Sequence, residues 1–491
     1  MAHYLGVDVG TTKIAALVLD AESGSQIATH EVFNDSEITS EGDRALGRHE
    51  SDAERVTALT FECIRGVLQK AAVSEIGGVG VSGQMHGMVL VRQGRADSPL
   101  IGWQDQRCEE VMPGRDVNYI GRMFQLGGVG GFARTGCPPA TGYLGATLFW
   151  LTEHHDHRVS EGHAPGVKAC FMPDYVVMRL TDGEPITDPT NAGASGVFDV
   201  ALRQWNWTLI KRLGIDPDLF PQVVTGGPIA GHVSAEAAEA TGLPAGTPVR
   251  VACGDNQASF AGGVAEPEES VFVNIGTGAQ ISVWVPRYIG AETIDTRPYF
   301  GKGHLLVGAP LCGGFSYALL RDFIREVGER FFGAKGDDES EELYEQMTEL
   351  AATIPSGADD LRCEPLFAGT RLNPNRRASM EGMTAANFTP GHFARAILEG
   401  VVQQLLNYYA DMQESGVEPR RMLIGSGNGI RKNPLLPRIV AEMFGMPLRI
   451  PESAEEAAFG AALLAAVAVG QFTNMAEARH WIRYGPEIGP G

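Results

Sequence analysis

One pattern written twice constrains this chain more than any other feature. Residues 5–19, LGVDVGTTKIAALVL, and residues 271–285, VFVNIGTGAQISVWV, align without a gap, pairing Val7 with Val273, Asp8 with Asn274, Val9 with Ile275, Gly10 with Gly276 and Thr11 with Thr277. Each reads as a strand, a tight Gly-Thr loop and a second strand, because apolar runs flank a short polar turn. A unit that recurs at this distance predicts two related lobes.

The chemistry of the loops follows from their residues. Backbone N–H groups, the hydroxyls of Thr11 and Thr12 and the ammonium of Lys13 suit an anion. Asp8, at a strand end, supplies the oxygen ligand that Mg2+ prefers. Either loop alone is also compatible with an ordinary hairpin turn. The pair, one per lobe, is suited to gripping a nucleotide's phosphates from both sides of a cleft.

The chain has 491 residues, too many for one core, so two lobes also agree with its length. A formal charge of −21 opposes nucleic acid and anionic membrane as partners. Seven scattered cysteines, none in C-x-x-C spacing, predict a reduced cytoplasmic protein without a zinc site. The most apolar late run, residues 457–470, is too short to span a bilayer.

Along the chain, helical spacing over residues 56–71 gives way to strand character over 77–81, the rhythm of an α/β lobe. The loop SGQMHG then places Gln84, Met85 and His86 between two apolar runs, either facing a cleft as partners for a polyhydroxylated ligand or forming a turn with a solvated histidine. Asp105 and Arg107, in GWQDQR, are read either as a local ion pair or as sugar-binding groups. The run His154, His155, Asp156, His157 lacks metal-ligand spacing and reads as a solvated helix end.

Asp255, in GDNQ at residues 254–257, is the strongest catalytic candidate. It stands between the strand of residues 249–252 and a short helix, as a carboxylate able to accept a hydroxyl proton or as an N-cap, roles that are compatible. Gly313 and Gly314 open a helix and either admit a nucleotide close to the backbone or make a simple turn. Gly425 and Gly427, in RMLIGSGN, offer a bare surface to an adenine, and Asn433 with Pro434 starts a helix. No GxxxxGK[ST] sequence occurs, so a Walker-type site is excluded.

Together DVGTTK, SGQMHG, WQDQR, GDNQA, NIGTG, GSGN and the EEAAFGAALLA run from Glu455 resemble the FGGY carbohydrate kinases over almost the whole chain. That resemblance implies an α/β fold of two ribonuclease H-like, actin-like ATPase lobes, at residues 1–254 for sugar and 255–491 for nucleotide. It implies ATP and Mg2+, and transfer of a phosphoryl group to a primary hydroxyl of a ketose. GWQDQRC, GYLGATLFWL and Gln257 point within the family to the branch acting on sedoheptulose, with D-xylulose, L-ribulose or another polyol as the alternatives.

By the same resemblance Asp255 is the general base and Asp8 holds the metal. Thr11, Thr12, Lys13, Gly276 and Thr277 contact phosphates, while Gly313, Gly425, Gly427, Asn428 and Asn433 border the nucleotide. Gln84, Met85, His86, Asp105, Arg107, Asp255 and Gln257 take the sugar. A hinge is expected around residues 254–263, and the oligomeric state is left open, a homodimer included.

Overall fold

The computed structural model describes residues 3–160, 165–333, 340–370, 373 and 375–491. Both copies of the repeated pattern are antiparallel hairpins, and each is the centre of its own sheet. In the first, β1 (His3–Val9) pairs with β2 (Lys13–Asp20), which pairs with β3 (Gln26–Phe33). Helix α1 (Ala53–Ala71) leads to β4 (Ile76–Gly83), which runs parallel to β1.

Helices α2 (Leu144–Glu153), α3 (Met172–Thr181) and α4 (Pro189–Ala192) follow. Strands β5 (Ile229–His232), β6 (Pro248–Arg250) and β7 (Cys253–Gly254) complete the sheet, in the order β5-β6-β4-β1-β2-β3 with β7 also on β4. Helix α5 (Asp255–Gly263) leaves its edge.

The second sheet repeats the plan. Strands β8 (Ser270–Ile275), β9 (Ala279–Val285), β10 (Asp295–Pro298) and β11 (His304–Gly308) are followed by helices α6 (Gly314–Phe332) and α7 (Pro390–Glu414). Then come β12 (Met422–Ser426), α8 (Asn428–Lys432), β13 (Leu448–Arg449) and α9 (Glu456–Ala468). The order β10-β11-β9-β8-β12-β13 superimposes in topology on the first sheet, with β8, β9 and β12 in the places of β1, β2 and β4.

Two helices join the sheets face to face. Helix α9 is apolar on every side, as a helix buried all round must be, and lies on β1 and β4. A Cβ on Gly6 or Gly80 would overlap the carbonyl of Ala458 or Ala461. Helix α5 lies on the second sheet, where Phe260 meets Phe272 and Tyr299 edge to face at 5.8 and 5.5 Å. The two helices touch each other through Gly262 and Gly460, each backed against the other helix's main chain. The layers therefore run sheet, α9, α5, sheet.

Residues 88–220 contribute a further core around Phe149, Phe198 and Trp205. All seven cysteines are free and buried. Among the described residues no helix is long and apolar enough to cross a membrane.

Candidate active site

The first sheet delivers two carboxylates to one place. In the parallel register Asp8 lies opposite Ser82 and Ser82 opposite Cys253, while Val9, Gly83 and Gly254 form the next row. Asp8, next to last in β1, and Gly254, last in β7, thus lie on either side of β4, and Asp255 is the first residue beyond β7. Ligands of open α/β sheets bind in such crevices at strand ends.

The Asp8 carboxylate accepts a hydrogen bond from Ser82 Oγ at 2.9 Å. Burial, followed by the charge of Asp255, pushes its carboxyl up to about 7. Burial likewise pushes Asp255 up to about 6, although the Asn256 N–H at 2.6 Å and the charge of Arg297 oppose it. Gly254, not Asp255, occupies the N-cap position of α5, so the aspartate's side chain is not a cap.

The second hairpin reaches the same point through Asn256, whose Nδ2 donates to Gln280 Oε1 on β9 at 3.1 Å. Its loop is open: Thr277 is exposed, and a Cβ on Gly276 or Gly278 would meet nothing. Gly313 and Gly314 press against this loop, Gly314 N donating to Gly276 O at 2.8 Å and Phe315 N to Thr277 O at 2.9 Å. Their lack of side chains serves that close approach and the opening of α6, so Gly313 supports the loop from behind.

Around Asp8 the first loop is tied to its neighbours. Thr11 Oγ1 donates to Gln84 Oε1 at 3.4 Å and accepts from Trp103 Nε1 at 3.1 Å, while Thr12 is exposed. Lys13 is engaged elsewhere: its ammonium pairs with Glu455 at 2.7 Å and Glu31 at 3.0 Å. It reaches a phosphate only by leaving those carboxylates.

The SGQMHG loop is built into the crevice. Gln84 and Met85 are buried, and Met85 Sδ lies against Gly254. His86 is not merely solvated. It takes a left-handed φ of 76°, its Nδ1 lies 2.8 Å from Ala194 O, and its ring stacks on Tyr143 at 4.0 Å. A strained backbone held by so many contacts is characteristic of functional positions.

For Asp105 and Arg107 the local ion pair is what forms. Asp105 is fully buried and accepts from Arg107 Nε at 2.8 Å, from Arg107 Nη2 at 2.9 Å and from His49 N. Arg107 also holds Glu50 at 2.6 Å and lies over Trp150. The pair orders the segment that presents Trp103, and its polar groups are engaged with each other, Glu50 and His49. The histidine run ends α2, with His154 stacked on Trp150 at 3.7 Å, and no group of three or more metal-ligating side chains occurs among the described residues.

Gln257 is buried, with its Nε2 donating to Pro298 O at 3.1 Å. On the other side of the second hairpin, Gly427 backs onto Asn274 and Ile275, and Asn428 begins α8. Gly425 is enclosed by Ile430 and Leu448. The helix Leu436–Phe444 starts later than the Asn433-Pro434 pair suggests, with Leu435 at its N-cap position; Asn433 Oδ1 accepts from the N–H groups of Leu435 and Leu436, and its Nδ2 donates to Thr348.

Residues outside the sequence reading enter here: Ser82, Trp103, Tyr143, Thr190, whose hydroxyl accepts from Gly254 N at 3.0 Å, and Arg297. One signal was present in the sequence. Ser82-Gly83-Gln84 and Ser426-Gly427-Asn428 are a second repeated pair, since Ser82 lies opposite Asp8 and Ser426 opposite Asn274.

The donor set here suits Mg2+. Asp8 near the end of β1 and Asp255 just beyond β7, on either side of β4, offer carboxylate oxygens of the kind such an ion takes, one or two at a time, beside phosphate oxygens.

Comparison with known proteins places this geometry. The FGGY family of carbohydrate kinases matches through its N-terminal domain over residues 3–262 and its C-terminal domain over residues 304–469. Human sedoheptulokinase is 29% identical, covering 94% of this chain and 96% of that protein. Xylulose kinase of Staphylococcus xylosus is 25% identical, covering 100% and 96%. The crystal structure of xylulose kinase from Rhodospirillum rubrum aligns with a TM-score of 0.85 at 23% identity, covering 100% of this chain and 94% of that one.

Proposed function

The chain belongs to the FGGY family of carbohydrate kinases, and from that premise we propose that it phosphorylates a primary hydroxyl of a ketose, with sedoheptulose as the preferred acceptor. ATP-dependent phosphorylation of a carbohydrate is the activity of the family, and the two-sheet α/β fold is that of its solved members. The observation carrying the reading is the convergence of both hairpins on Asp255, one through the β1-β4-β7 register and the other through Asn256 and Gln280.

On this reading the sugar lobe spans residues 1–254 and the nucleotide lobe 255–491, with Asp255 at the junction. Asp255 accepts the proton of the attacking hydroxyl. Thr11, Thr12, Gly276 and Thr277 receive the phosphates, and Lys13 joins them on exchanging its carboxylate partners. Gly425, Gly427, Asn428 and Asn433 border the adenosine, while Gly313 backs the second phosphate loop. Gln84, Met85, His86 and Gln257 face the sugar, with Asp105 and Arg107 ordering Trp103 beside it.

Asp8, oriented by Ser82, is the residue to hold Mg2+, which when bound supplies charge neutralisation of the transferred group. The chain's own contribution is position and exclusion of water, which is most of what phosphoryl transfer requires. Proximity of sedoheptulokinase in sequence supports the seven-carbon ketose. The related xylulose kinase and L-fuculokinase suggest the competing acceptors.

ADP release with Mg-ATP and sedoheptulose, xylulose, ribulose, L-fuculose, glycerol or no sugar tests the assignment. The highest kcat/KM is expected with sedoheptulose; preference for another acceptor replaces the substrate, and equal rates with and without sugar remove the kinase. The pH profile gives a second check. A base must be ionised, and burial pushes the Asp255 carboxyl up to about 6, so with Mg2+ saturating kcat/KM is expected to fall about tenfold per unit below roughly pH 6. A limb near pH 4, the ordinary aspartate value, would contradict the environment described.

A further inference from the structure

Three polar atoms beside Asp255 are buried without a hydrogen-bond partner: Nε of Arg297, Oδ1 of Asn256 and Oε1 of Gln257. Burying such atoms unpaired is costly, and native structures leave few of them. Here one is a charged donor and two are acceptors.

The fold brings them together. Arg297 on β10 lies in register opposite Leu305 on β11, and opposed residues of an antiparallel pair share a face. Leu305 packs with Phe260 of α5. Arg297 therefore stands on the face of the second sheet that α5 covers. The bond from Gln257 Nε2 to Pro298 O fastens the next residue of β10 to the first turn of that helix. The amide nitrogens of Asn256 and Gln257 are both spent, on Gln280 and Pro298, which turns their oxygens to other use.

Arg297 is only 3% exposed, and its Nη2 holds Asp295 at 2.9 Å. That pair leaves Nε available. A hydroxyl both donates and accepts, so a ligand hydroxyl satisfies a donor and an acceptor at once, which no cation or apolar group does.

Resting on the kinase reading above, we infer that Arg297 is a specificity-determining residue of the acceptor site, binding through Nε a hydroxyl of the sugar other than the one phosphorylated. Asn256 and Gln257 accept from the sugar beside it. Because Arg297 belongs to the second sheet, the acceptor is held from both lobes.

The test is steady-state kinetics at saturating Mg-ATP with the acceptor the wild type phosphorylates. Arg297→Lys keeps the charge but loses the planar fork. The double variant Arg297→Met with Asp295→Asn removes the pair without leaving an isolated buried charge. We expect the acceptor KM to rise at least about tenfold in the double variant and less in Arg297→Lys, the range for a lost hydrogen bond to a charged group. The KM for ATP should stay within about twofold.

Monodeoxy acceptors give the independent readout, needing only wild type and Arg297→Lys. One of them should lose about tenfold or more in kcat/KM with the wild type and markedly less with the variant. An unchanged acceptor KM, an equal rise in the KM for ATP, or deoxy penalties identical in both proteins overturns the role of Arg297 while leaving the kinase intact. If the wild type phosphorylates no sugar, the kinase reading falls and the subsite with it.

Discussion

Asp255→Asn is expected to lower kcat by about 10² to 10⁴, the usual range for a lost general base, while the affinity for ATP changes little. Asparagine is the informative replacement because its Oδ1 can still accept the Asn256 N–H, so the first turn of α5 keeps its hydrogen bond. What disappears is the charge and the basic lone pair. The neighbouring acid should respond as well: with the negative charge of Asp255 gone, Asp8 is ionised more readily, since that charge helps hold its carboxyl up. Single-turnover kinetics with bound ATP separate the chemical step from binding. Turnover near the wild-type value would remove Asp255 from the reaction.

Gly80→Val is expected to be severely destabilising. A Cβ there overlaps the Ala461 carbonyl, a main-chain atom of α9, so no side-chain rotation relieves it. Overpacking ordinarily costs about 1–3 kcal/mol, and a clash with rigid backbone belongs at or beyond the upper end. Helix α9 is also the layer between the first sheet and α5, so displacing it disturbs both. Thermal denaturation should show Tm lowered by several degrees or the protein accumulating insoluble. Gly489→Val is the control for valine itself: Gly489 has open space where a Cβ would go and no left-handed backbone. Equal losses in the two variants would refute the packing argument.

Much of this could be read from the chain. The duplicated hairpin was legible because strand periodicity and a Gly-Thr loop are local signals; the structure repeats the antiparallel hairpin with the second loop one residue shorter, Val9 pairing with Ile14 and Ile275 with Ala279. The helix over residues 56–71 is equally local. Asp255 stood out because a carboxylate between an apolar strand and a small-residue helix is unusual.

What remained ambiguous depended on partners distant in sequence. Whether Asp105 and Arg107 face a ligand or each other turns on Glu50 and His49. The fate of Lys13 turns on Glu455, at the far end of the chain. His86 is ordered by Tyr143 and Ala194, and nothing in SGQMHG announces either.

The sequence by itself determined two α/β lobes, two phosphate-suited loops and one poised aspartate, because strands, turns and glycine loops are written in neighbouring residues. Only the tertiary structure decided which polar groups are spent on one another and which stay available to a ligand. That division is set by burial and by hydrogen-bond partners distant in the sequence, as the pairing of Lys13 with Glu455 and the unpaired Nε of Arg297 show.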